Sequence, residues 1–129
     1  MTIQELSQVY WMRREIDDMR RRIEHLRDMA MSMQHGSGGG GRCCGDGRME
    51  QMLQEVVDLE AEMASRKTAV VSECRRLEAY IASVPDSYLR QIMRLRFVDG
   101  LKWHKVASKL GGTTAEACLM AVRRYLQGC

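Results

Sequence analysis

Proline is nearly missing from this chain, with one in 129 residues. Little besides glycine can therefore interrupt a helix, since proline is the other residue that breaks the i to i−4 ladder. Aromatic residues are scarce as well, at 5% with a single phenylalanine. Too few large rings are present to fill a large globular core, so a small domain beside extended helices is expected. No apolar run has the length of a membrane span, and the first residues lack the charged-then-apolar layout of a secretory signal. The expectation is a cytoplasmic protein with no membrane partner.

Other absences exclude chemistry. The glycine run at 38–41 precedes Arg42-Cys43-Cys44 rather than the Lys-Ser/Thr of a phosphate loop, and no strand pattern leads into it. His104 stands among lysines with no nucleophile or paired acid near it in sequence. The carboxylates alternate with basic residues along helical patterns, as on solvated helix faces. No catalytic residue is expected. Five cysteines, Cys43, Cys44, Cys74, Cys118 and Cys129, are an odd number without framework spacing, so free thiols are expected. Adjacent Cys43-Cys44, with His25, His35 and Asp46 near, lacks the gap that lets two thiolates share one tetrahedral ion. Neither a metal nor a cofactor is expected.

What the chain does have is periodicity. Val9, Met12, Ile16, Met19, Ile23, Leu26, Ala30 and Met33 follow alternating steps of three and four. That is the seam of a coiled coil over 2–34, flanked by charges. Methionine at many seam positions makes it adaptable. Glycine density over 35–47 predicts a flexible connection. A second helix is expected over 48–82, with Met52, Val56, Leu59 and Met63 in the same rhythm. Arg66 then falls where an apolar residue is due, and the stripe resumes at Val70, Cys74, Leu77, Ile81 and Val84. Such a phase shift is a stutter, with Arg66 reaching solvent along its alkyl stem. The two helices fold back as an antiparallel hairpin or pair between chains as a homo-oligomer; the stripes permit both.

Pro85 ends the second helix, because it disfavours the helical region for Val84. The remaining segment has helical patterns over 87–98, 101–110 and from Thr113 or Thr114 onward, separated by Asp99-Gly100 and Gly111-Gly112. Glu116, three residues after Thr113, is placed as a capping-box partner. Leu95, Val98, Trp103, Val106, Ala107, Leu110, Cys118, Ala121, Val122, Tyr125 and Leu126 are expected to share a small core. From Asp86 onward eight basic residues face three acidic ones, whereas the rest of the chain holds twelve against fourteen. A positive tail beside a nearly neutral body suits a local nucleic-acid contact. The expected fold class is all-α: a long helical hairpin over 1–84, then a three-helix helix-turn-helix module over 85–129.

The tail carries a resemblance. Leu95-Arg96-Phe97, Asp99-Gly100, Trp103, Val106-Ala107, Leu110-Gly111 and Arg123-Arg124-Tyr125-Leu126 resemble region 4 of sigma-70-type transcription factors. The layout of the whole chain is similar to small phage and prophage ArpU-like late transcription regulators. The resemblance implies a DNA-binding transcription regulator with double-stranded DNA and RNA polymerase as partners. Thr113 and Thr114 would lie at the start of the recognition helix, with Ala115, Glu116, Leu119, Met120 and Arg123 facing bases. Lys102, Lys105 and Lys109 on the supporting helix, with Arg90 and Arg94 on the first, would meet phosphates. Leu119 and Met120 are apolar where this family usually hydrogen-bonds, which equally suits a protein contact. The alternatives are a phage packaging or assembly protein of small-terminase type, or an adaptor that binds polymerase without DNA.

Overall fold

The computed structural model of the chain describes residues 1–35 and 47–128. The described residues are all-helical, 86% of them in helices and none in strands. In order they form α1 (Ile3–Leu6), α2 (Gln8–His35), α3 (Arg48–Ala82), α4 (Ser87–Met93), a π-helical turn (Arg94–Val98), α5 (Trp103–Leu110) and α6 (Ala115–Gly128). The expected linker with Cys43 and Cys44 lies outside the described residues, as does Cys129. Among the described residues no helix is long and apolar enough to cross a membrane.

Helix α2 obeys its seven-residue pattern in a graded way. Val9, Ile16, Ile23 and Ala30 are buried, seven residues apart, while the interleaved Met12, Met19, Leu26 and Met33 are half-buried. One seam line is thus packed and the other lies at its margin. The heptad fixes which residues face inward, whereas the depth of burial depends on what the face meets. α1 and α2 are separated only by Ser7, whose carbonyl still accepts the Trp11 N–H at 3.2 Å. Thr2 caps α1 through its Oγ1, which accepts from the Glu5 N–H at 3.2 Å.

The chain packs as two compact units that divide inside the long helices. One is Arg13–Thr68. Within it Arg22 pairs with Glu55 at 2.9 Å, Arg27 with Glu60, and Arg66 with Glu15. Arg66 also takes Glu62 at 3.0 Å. The arginine at the stutter keeps its side chain 41% exposed, as expected, while its guanidinium pairs with two carboxylates; its Nε alone is enclosed, without a hydrogen-bond partner among the described residues. The hydrogen bond that Arg66 donates to Glu62 and the charge of Glu15 raise its pKa above the ordinary arginine value. These pairs are largely exposed and fix alignment more than they add stability.

The other unit joins Met1–Met12 to Ala69–Cys129. Its buried side chains are Leu6 and Val9 from the start of the chain, and Val70, Leu77, Ile81, Val84, Leu89, Ile92, Met93, Phe97, Val106, Ala107, Cys118 and Val122 from the rest. Tyr10 lies close enough to the Gly100 turn that a Cβ there would stand 3.6 Å from its ring. Residues 1–12 thus share a unit with the C-terminal helices.

The segment expected as one helix over 87–98 changes character midway. α4 is capped by Asp86, whose carboxylate accepts the Tyr88 N–H at 2.9 Å. From Arg94 the chain widens into a π turn in which the Asp99 N–H reaches the Arg94 carbonyl at 3.0 Å. A wider turn advances less around the axis per residue, which keeps Phe97 in line with Met93. Phe97 is 2% exposed, while Leu95 and Val98, expected in the core, are half-buried. Trp103, Leu110, Ala121, Tyr125 and Leu126 are half-buried too, so the core is centred closer to α4 than expected.

Candidate nucleic-acid interface

Helices α5 and α6 pack on each other in the second of these units, and α6 also packs on α4. Their joint is Gly111-Gly112, with φ of 75° and 68°. Gly111 has ψ of 147°, a backbone conformation that side chains other than glycine's avoid. A Cβ would meet nothing within 4 Å at either position, so backbone conformation and not crowding calls for glycine here. Gly111→Ala is expected to cost about 1–3 kcal/mol, read as a lowered thermal midpoint by circular dichroism. An unchanged midpoint would show that the turn relaxes without penalty.

The start of α6 selects between the two threonines. Thr114 Oγ1 accepts the Ala117 N–H at 3.1 Å and is the cap. Thr113 is half-buried, with its hydroxyl toward the Tyr88 hydroxyl at 3.2 Å and the Cys118 thiol at 3.9 Å. The expected Thr113–Glu116 capping box is thereby corrected. With Thr114 as the cap, Glu116 falls one residue short of the third helical position, and its side chain is exposed.

At about 100° per residue, Glu116, Met120, Arg123 and Gln127 share one face of α6, opposite the buried Cys118 and Val122. All four are exposed, and Met120 is 43% so. Leu119 and Ala115 lie at the margin, half-buried. Of the apolar pair Leu119-Met120, only Met120 stands out on the surface. Gln127 was not singled out in the sequence; its eleven-residue spacing from Glu116, close to three turns, was the available signal. Arg123 and Gln127 also border a shallow depression with Met1, Thr2 and Ile3 of the same unit.

On α5, Lys102, Lys105 and Lys109 are exposed and fall within about 60° of one another around the helix. Trp103, Val106, Ala107 and Leu110 occupy the inward side. Lys102 takes the N-cap position, its carbonyl accepting the Val106 N–H at 3.0 Å.

The arginines of the first helix divide. Arg94 is exposed. Arg90 is half-buried and its Nη1 donates to the carbonyls of Val84 at 2.6 Å and Pro85 at 3.1 Å, tying α4 to the chain before it. Arg96 likewise serves the fold. Its Nη1 donates to the Leu101 carbonyl at 3.0 Å, and its guanidinium sits 5.0 Å over the Trp103 ring. Trp103 in turn meets Phe97 edge-on at 6.2 Å. Part of the tail's positive charge is therefore engaged by its own backbone.

Among the described residues no cluster of His, Cys, Asp and Glu has the makings of a metal site, and neither Cys74 nor Cys118 takes part in a disulfide. Comparisons of the chain with protein-family models, with curated proteins and with solved structures found no match. The functional reading accordingly rests on the residues and their placement.

Proposed function

We propose that this chain is a phage or prophage transcription regulator that binds double-stranded DNA through a sigma-70 region-4-like helix-turn-helix. In this reading α4, α5 and α6 are the three helices of the module, and α6 enters the major groove. The carrying observation is the pairing of two exposed faces: Glu116, Met120 and Arg123 on α6, and the lysine row Lys102, Lys105 and Lys109 on the adjoining α5. The first has groups that touch base edges, and the second has charges for phosphates. Ala115 and Leu119 border the α6 face, Thr114 caps the helix, and Arg94 adds a cation from the π turn after α4. Arg90 and Thr113 support the module from behind, through the hydrogen bonds given above. The ion pairs of Arg13–Thr68 support an antiparallel hairpin upstream. Glu15, nearer the start of α2, meets Arg66 in the middle of α3, whereas Arg22 and Arg27, further along α2, meet Glu55 and Glu60, nearer the start of α3. RNA polymerase is the protein partner of this reading.

Fluorescence anisotropy against duplexes tiled from the flanking genome tests it. A tile bound at physiological salt in preference to the others is the expected result. Arg123→Ala should flatten that preference by about 1–3 kcal/mol while leaving general affinity nearly intact. Weak binding to every tile, lost with salt, would favour a packaging protein of small-terminase type. No binding at any salt would favour a polymerase adaptor, a reading supported by Met120 as an exposed apolar contact.

A further inference from the structure

Two threonines stand at the entry to α6, and local chemistry favours the one the fold does not use. A cap at Thr113 would put Glu116 at the third helical position. There its carboxylate reaches back to the Thr113 N–H while the Thr113 hydroxyl accepts the Glu116 N–H, so two donors are satisfied. A cap at Thr114 puts Ala117 at that position, and alanine returns no acceptor. Thr114 nevertheless holds the cap. Its Oγ1 accepts the Ala117 N–H at 3.1 Å, and its carbonyl accepts the Cys118 N–H at 3.1 Å.

The contact that reverses the local order comes from α4. The Tyr88 hydroxyl donates to Thr113 Oγ1 at 3.2 Å, and the Cys118 thiol stands 3.9 Å from the same oxygen. Held between two side chains, the Thr113 hydroxyl is kept from the Glu116 N–H. Tyr88 is itself anchored, since its N–H donates to the Asp86 carboxylate at 2.9 Å and α4 buries Leu89, Ile92 and Met93. All of these residues belong to one compact unit. Glu116 in consequence stays exposed in the first turn of α6.

We infer that Tyr88 is a positioning residue for the face that reads DNA. Its hydroxyl holds Thr113 off the cap and leaves the Glu116 carboxylate free to accept from the amino group of a cytosine. The function of Glu116 rests on the DNA reading; the choice of cap does not. Beyond Cys118 the helix keeps its phase with either cap, so Tyr88 governs Glu116 and leaves Met120 and Arg123 as they are.

Tyr88→Phe in the full chain removes the hydroxyl and little else, and two readouts test the role. The first needs no DNA. Amide–water exchange measured by NMR should slow about fivefold or more at positions 113 and 116, as the capping box forms. Adding Thr113→Val should restore the wild-type rate at position 116, because valine cannot cap and an apolar pair replaces the hydroxyl pair. The second readout is anisotropy on single-base variants of the preferred duplex. Glu116→Ala identifies the cytosine that Glu116 reads. Tyr88→Phe should lower the preference at that base about fivefold to tenfold and leave the base read by Arg123 unchanged. Thr113→Val should restore the preference, and Tyr88→Phe should add nothing to Glu116→Ala.

Unchanged exchange at 113 and 116 in Tyr88→Phe would overturn the positioning role whatever the DNA result. An exchange response with the cytosine preference intact, or an equal loss at every base, would overturn the link to Glu116. A wild type that prefers no duplex would overturn the DNA reading, and the function of the free carboxylate with it.

Discussion

Phe97→Ala is expected to destabilise the unit built from residues 1–12 and 69–129 by about 3–5 kcal/mol, the range for truncating a buried phenylalanine. Phe97 is the chain's only phenylalanine, sits 2% exposed, and holds Trp103 edge-on at 6.2 Å. Its loss leaves a cavity and removes the ring that positions Trp103, over which Arg96 stacks. Leu95→Ala and Val98→Ala should cost less, about 1–2 kcal/mol each, because both side chains are already half in solvent. The ordering is the sharp part of this expectation. Were the segment an α-helix to its end, Phe97 would stand about 40° round from Met93, still on the same side of the helix but less in line with it. Urea unfolding of the three variants, followed by circular dichroism, measures the order. Equal costs, or a greater cost at Val98, would argue against Phe97 as the buried anchor of this unit.

Replacing Lys102, Lys105 and Lys109 together by alanine is the change expected to affect DNA binding most. Each lysine that neutralises a phosphate releases a counterion, so affinity falls with salt at a slope set by the number of contacts. Removing three should reduce the slope of log K against log salt by roughly 2.7, at about 0.9 per contact. Affinity should drop about tenfold to a hundredfold for every duplex alike, because phosphate contacts carry no sequence information. The fold should survive, since the three side chains are exposed and face away from Val106 and Ala107. Anisotropy titrations at four or more salt concentrations give both numbers. An unaltered slope would place the DNA elsewhere or remove it from the function. The contrast with Arg123→Ala, expected to change preference more than slope, separates attraction from reading.

Much of the helical plan was legible because it depends on neighbours in the chain. The limits of α3, Arg48–Ala82, follow from a glycine-rich entry and a proline exit. The inward seam of α2, which includes Val9, Ile16, Ile23 and Ala30, follows from spacing alone, although which of its two lines is buried does not. The glycine joint before α6 follows from a backbone conformation that glycine takes without strain, and the threonine cap from a short polar side chain able to accept an N–H. The three lysines of α5 were equally readable, since residues three and four apart share a helix face.

Other features needed the folded chain. Whether Thr113 or Thr114 caps α6 depends on Tyr88, 25 residues away, which takes the Thr113 hydroxyl. Arg90 and Arg96 look like any surface arginines until the carbonyls of Val84, Pro85 and Leu101 come within reach. Arg66 reads as a defect in a heptad until Glu15, 51 residues distant, supplies its charge partner. The placement of Leu6 and Val9 in the unit with α4, α5 and α6 depends on contacts that no local pattern encodes. The sequence by itself determined where helices begin, end and turn an apolar side inward, because those choices are made over a few residues by backbone sterics and periodicity. Only the tertiary structure decided which charges serve the fold, which threonine caps, and where the π turn shifts the phase. Those outcomes depend on groups brought together from distant parts of the chain, whose contacts outweigh the small local preferences of each segment.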